Sequence, residues 1–190
     1  MKHLLLLHGA IGSAEQLQPL KESLQGHYEI HLLNFPGHGG EPMPRAFSIP
    51  FFAEQVKEYC ASNQLNSLSI FGYSMGGYVS LCLARKHPEL VEKIITLATK
   101  FHWDEATAAK EIKMLQPEVI EQKVPQFAAA LQKRHSPGDW KQVMEMTCQM
   151  LKELGDHNAL QLADYTSIHT PTLVMLGDRD KMVSLEETVA

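Results

Sequence analysis

The chain is poor in several things, and each shortage removes a class of function. Cysteine occurs three times (Cys60, Cys82, Cys148), an odd number without the close spacing that metal sites use. Free thiols in a reducing, cytoplasmic setting are the expectation. Apolar runs such as Leu4–Leu7 are far too short to cross a bilayer, so no membrane span is expected. Met1-Lys2-His3 leads into a strand pattern, not into the long apolar stretch and small-residue cleavage site of a secretory signal. No lysine or arginine run is long enough to track a phosphate backbone, and the net charge is −5, which argues against nucleic acid. Internal repeats and low-complexity segments are missing as well.

What is present has the balance of a globular protein, 44% hydrophobic and 21% charged over 190 residues, enough for one domain with a substantial core. Short apolar runs bounded by turn residues read as buried parallel strands at His3–Leu7, Glu29–Leu33, Ser67–Phe71, Lys93–Ala98 and Thr172–Leu176. Helical patterns lie between them. Ser13-Ala14-Glu15-Gln16 has the form of a capping box, Phe52, Val56, Tyr59 and Cys60 form a stripe, and the helix after Ser74 is apolar on most sides up to Pro88. The alternation predicts an α/β fold, an open and mostly parallel sheet with helices on both faces. Residues 102–164 break it with consecutive helical segments punctuated by Pro117, Pro125 and Pro137. That stretch reads as a helical cap inserted into a core made of residues 1–101 and 165–190.

The residues that carry chemistry centre on Gly72-Tyr73-Ser74-Met75-Gly76-Gly77. A serine between an apolar strand and an apolar helix, with small residues two positions either side, sits on a turn too sharp for neighbours with side chains. The following helix aims its N-terminal N–H groups at the reaction centre and favours negative charge there.

Four motifs in order resemble the α/β-hydrolase family over almost the whole chain: His8-Gly9-Ala10 after the first strand, Phe35-Pro36-Gly37-His38-Gly39 after the second, the Ser74 turn, and Gly177-Asp178-Arg179-Asp180 after the last. The resemblance implies a catalytic Ser74 with an oxyanion hole from the backbone N–H groups of Ala10 and Met75. Position after the nucleophile points to Met75 independently. Asp178 and Asp180 compete as the acid, and the family pattern favours Asp180. His8 and His38 read as turn-shaping residues. Tyr73, Trp103 and Trp140 are candidate substrate-binding side chains.

A serine needs a histidine base, which in this family follows the acid, and no histidine follows Asp180. His169 precedes the last strand and falls at the wrong edge of the sheet, and His87 ends the nucleophile helix. His102 follows the fourth strand and could face the site, though a cap-base position near Trp103 is the favoured reading, and His135 and His157 lie in the cap with no special claim. Ser184-Leu185-Glu186-Glu187 opens a helix with three residues left to run. The 190 residues are therefore expected to be most of a longer chain. The expected reaction is acyl transfer on a small carboxylic ester or thioester through an acyl-serine, with no cofactor and no metal. A cofactor-less lyase or synthase of the menaquinone type, or a non-catalytic binding protein of the same fold, are the alternatives. The expected partner is a small-molecule substrate, and nothing in the sequence sets the oligomeric state.

Overall fold

The five apolar runs form five strands, and every pairing between them is parallel. The computed structural model describes residues 2–189. In it β1 (Lys2–Leu7), β2 (Tyr28–Leu33), β3 (Leu68–Tyr73), β4 (Val91–Leu97) and β5 (Thr172–Met175) lie in the order β2-β1-β3-β4-β5. Parallel neighbours need crossovers. These are α1 (Gln18–Ser23) between β1 and β2, α2 (Ile49–Ser62) between β2 and β3, and α3 (Met75–Lys86) between β3 and β4. The chain runs outward from β1 to β2, then returns to place β3 on the other side of β1. That reversal opens a crevice beyond the C-terminal ends of β1 and β3, where open α/β sheets bind ligands.

Covering on both faces explains why the inner strands do not alternate: Leu4, Leu5, Leu6 and Leu7 are all buried. The core joins Leu5 and Leu7 to Phe52 and Val56 of α2, Ile70 of β3, and Val79 and Leu83 of α3. Each residue of α3 from Met75 to Ala84 is buried, which requires its uniformly apolar or small composition. Ser48 caps α2 by accepting from the Phe51 N–H at 3.2 Å. The Ser13 capping box is only half made: Gln16 accepts from the Ser13 N–H at 3.1 Å, while the Ser13 hydroxyl is buried without a partner.

Between β4 and β5 lie α4 (Glu105–Ile112), α5 (Pro117–Lys123), α6 (Pro125–His135), α7 (Trp140–Asp156) and α8 (Leu162–Tyr165). Proline opens α5 and α6, where its missing N–H has no intrahelical role. Ile120, Ala128, Leu131, Trp140 and Met144 make a second, smaller core within this segment. One expectation needs correcting. The strand expected at Thr172–Leu176 forms over Thr172–Met175 and pairs with β4, but among the described residues it lies at the edge of the sheet, with all four residues exposed rather than buried. After it, Ser184 and Glu187 exchange both arms of a capping box at 2.7 and 3.2 Å and start α9 (Leu185–Val189).

Candidate active site

Ser74 links β3 to α3 with φ 50° and ψ −118°, a left-handed conformation that side-chain-bearing residues rarely adopt. The surroundings hold it there. Its N–H donates to the Leu97 carbonyl at 2.8 Å, and its own carbonyl accepts from the Thr99 hydroxyl at 2.9 Å. Glycine is required where backbones converge on the turn. A Cβ on Gly76 would stand 2.6 Å from the Leu7 carbonyl oxygen, and one on Gly72 would collide with the Gly77 nitrogen. The sharp turn lifts the serine over the C-terminal edge of the sheet, into the crevice that the strand order creates.

The loop after β1 faces it. A Cβ on Gly9 would lie 3.2 Å from the Ser74 Cβ, so the Gly9-Ala10-Ile11 backbone passes directly against the turn. Among the described residues, neither the Ala10 nor the Met75 N–H is taken up by a backbone acceptor. Two free donors beside a serine hydroxyl are what a developing oxyanion needs.

Behind this loop sit three buried histidines whose hydrogen bonds settle their tautomers. His8 donates from Nδ1 to the Gly9 carbonyl at 2.7 Å and accepts the Phe35 N–H on Nε2 at 3.2 Å. His135 accepts the Gly39 N–H on Nδ1 at 3.2 Å and donates from Nε2 to the Ile11 carbonyl at 3.0 Å. Arg134 donates to the same carbonyl at 2.9 Å. His38 stands between them, its Nδ1 against the Pro36 carbonyl and its Nε2 buried without a partner. Burial pushes all three below the ordinary imidazole range, His8 to about 4, so each is neutral near pH 7. None of these rings is hydrogen-bonded to Ser74; they fix the loop.

A cavity of about 230 Å³ opens at Ser74, lined mainly by apolar side chains including Tyr78, Trp103, Leu115, Met150 and Leu154. Asp180 lines it as well, its Oδ1 accepting from the Met182 and Val183 N–H groups, both at 2.8 Å. Asp178 points away from the protein, with 92% of its side chain exposed. Opposite lies an ion pair that sequence reasoning missed. Lys100 Nζ is 3.7 Å from Glu111 and 3.0 Å from Glu187, and it also donates to the Met182 carbonyl at 2.5 Å. The Lys100 side chain is 8% exposed, and burial raises the Glu111 carboxyl above its usual range while Lys100 pulls the other way. Lys100 thereby moors the segment that carries Asp180.

The structure thus gathers Ser74, Ala10, Met75, Tyr73, Trp103 and Asp180 around one cavity. It does not bring Trp140 there. That indole is 3% exposed and packs with Leu131 and Met144 in the smaller core, because its position opening α7 faces α6 rather than the sheet. His102 is exposed and borders a different groove. His135 had no special claim by spacing, since its partner Ile11 is 124 residues away. A helix-borne histidine beside arginine was the sole local hint.

Strand order, a crevice at the chain reversal and a strained strand-to-helix turn define an α/β protein with an open parallel sheet. The comparisons narrow this further. The family model described as alpha/beta hydrolase fold matches residues 2–136, and the chain belongs to that family. It is 34% identical over 97 residues to the pimeloyl-(acyl-carrier protein) methyl ester esterase of Salmonella heidelberg, covering 51% of this chain and 36% of the esterase. The chain therefore matches little more than a third of that relative's length. Among solved structures, a hydrolase from Pseudomonas aeruginosa superposes with TM-score 0.76 at 17% identity, covering 98% of this chain and 76% of that one. An enol-lactonase from Burkholderia xenovorans does so with TM-score 0.76 at 15% identity, over the same shares of the two chains. These likenesses describe the fold. No helix among the described residues is long and apolar enough to cross a membrane.

Proposed function

We propose that the protein is a serine hydrolase that cleaves a small carboxylic ester or thioester through an acyl-serine intermediate. The observation carrying this reading is Ser74, held at φ 50° over a cavity that it shares with Asp180 and two unpaired backbone donors. In the reaction the Ser74 Oγ attacks the carbonyl carbon, and the carbonyl oxygen takes the negative charge. The N–H groups of Ala10 and Met75 stabilise that oxyanion, each worth about 3 kcal/mol by comparison with single oxyanion-hole donors elsewhere. The alcohol or thiol leaves, and water then cleaves the acyl-serine. Asp180 is the carboxylate that orients the base, its geometry held by two backbone donors. The base is a histidine that the described residues do not place at Ser74.

The substrate reading rests on the cavity's size and apolar lining, and on a relative whose name is that of a methyl ester esterase. Tyr73 and Trp103 would contact the substrate. The Trp103 Nε1–H is buried without an acceptor, so a substrate oxygen could take it. Residues 102–164 serve as a cap over this cavity, and residues 1–101 with 165–190 as the core. A fluorophosphonate probe tests the nucleophile. Labelling of Ser74 that is lost in Ser74→Ala supports the reading, and an intact fold that never labels overturns it. Nitrophenyl esters of increasing chain length test the substrate, with turnover expected to be confined to short acyl groups.

A further inference from the structure

At the other end of the sheet, β1 and β2 bring together three side chains that have no ligand spacing in the sequence. Parallel pairing sets His3 directly opposite Glu29. His31 follows Glu29 by two residues, so both project from the same face of β2. The result is a cluster in which one nitrogen from each histidine and one Glu29 oxygen lie within 4.8 Å of one another. His3 Nδ1 stands 3.1 Å from His31 Nε2 and 3.5 Å from Glu29 Oε2. Two imidazole nitrogens bound to one zinc ion at about 2.0–2.1 Å are about 3.0 Å apart at a right angle and about 3.3 Å apart at the tetrahedral angle. The observed separation falls between these limits.

We propose that His3, Glu29 and His31 form a binding site for a first-row divalent transition ion, Zn²⁺ being the reference case. The remaining position or positions go to water. The site is built beyond its ligands. His31 Nδ1 is 3.1 Å from the Tyr59 hydroxyl, a bond that orients the ring with Nε2 facing His3. Ligation uses the tautomer of each ring that carries its proton on the nitrogen away from the cluster, Nε2 of His3 and Nδ1 of His31. Two nitrogens and one carboxylate suit zinc, nickel or copper and do not suit calcium. All three ligands sit on strand backbone. The His3-to-Leu7 run of β1 alone separates the site from the Ser74 crevice by about 13 Å. A bound ion would cross-link β1 to the sheet's edge strand β2, independently of any catalytic reading.

The test is titration of tag-free protein with zinc chloride by calorimetry, with Co²⁺ absorption as a spectroscopic check. One ion per chain is expected. Affinity should fall more than tenfold in His31→Ala and in His3→Gln, and roughly tenfold in Tyr59→Phe, which loses the orienting bond. His27→Ala and Cys148→Ser control for other donors and should bind as the parent does. Absence of zinc binding, or binding undiminished in folded His3→Gln and His31→Ala, overturns the proposal. If His31→Ala fails to fold, the half-exposed His3→Gln decides alone.

Discussion

The His135 imidazole of α6 donates to the Ile11 carbonyl at 3.0 Å, tying the segment between β4 and β5 to the loop that faces Ser74. Because Nδ1 of the same ring accepts from Gly39, replacing it removes two bonds to part-buried backbone, though Arg134 still donates to the Ile11 carbonyl and only the Gly39 N–H loses its partner. His135→Ala should lower unfolding free energy by about 1–3 kcal/mol, the scale of leaving one such group unpaired. It should also slow fluorophosphonate labelling of Ser74 beyond what lost stability explains. Urea denaturation and labelling rates under fully native conditions separate the two.

The three buried histidines predict acid sensitivity. Their folded pKa values lie below the unfolded value near 6.5, so the unfolded chain binds more protons as pH falls. Their contribution is fully present above pH 6.5 and is lost on going down towards the folded values. For His8, with a folded value of about 4, the loss by pH 4 is on the order of 3 kcal/mol. Urea midpoints measured between pH 7.5 and 5 should drop steeply, and His8→Asn should flatten the slope.

Strain at Ser74 is measurable by substitution. Ser74→Ala keeps the left-handed conformation, whereas Ser74→Gly removes its steric cost. The glycine variant should unfold about 1 kcal/mol later than the alanine variant, and neither should take up the probe. Equal stabilities would mean that the turn carries no strain.

Lys100→Met should free the Met182 carbonyl and Glu187 and strand Glu111 in the cavity wall. Breaking a buried pair from one side typically costs about 3–5 kcal/mol. Hydrogen exchange should quicken across residues 180–189, and the double variant Lys100→Met with Glu111→Leu should recover part of the loss.

The two tryptophans should part company. Trp140→Ala empties the smaller core and should cost roughly 3–5 kcal/mol while leaving probe labelling unchanged in the folded fraction. Trp103→Ala alters the cavity wall and should shift ester preference more than stability.

The strand pattern, the parallel sheet and the elbow motif were legible because each is written in local order: an apolar run, a turn glycine, a helix start. Asp180 was narrowed by motif position; it lines the cavity, whereas Asp178 is exposed away from it. Contacts made between distant segments were not legible. Lys100 with Glu187, His135 with Ile11, and His3 with His31 are joined only by folding. Trp140 was misplaced for the same reason, since periodicity marks an apolar face without saying what covers it. β5 misled in its own way: a run such as Leu173-Val174-Met175 looks alike in the middle of a sheet and at its rim.

That rim has a consequence for how the polypeptide behaves in a tube. Leu173, Val174 and Met175 are 57%, 43% and 42% exposed, on a strand whose outer backbone groups have no neighbouring strand among the described residues. Apolar side chains next to unpaired peptide groups form a template for intermolecular pairing. Association between copies through this strand should therefore grow as concentration rises.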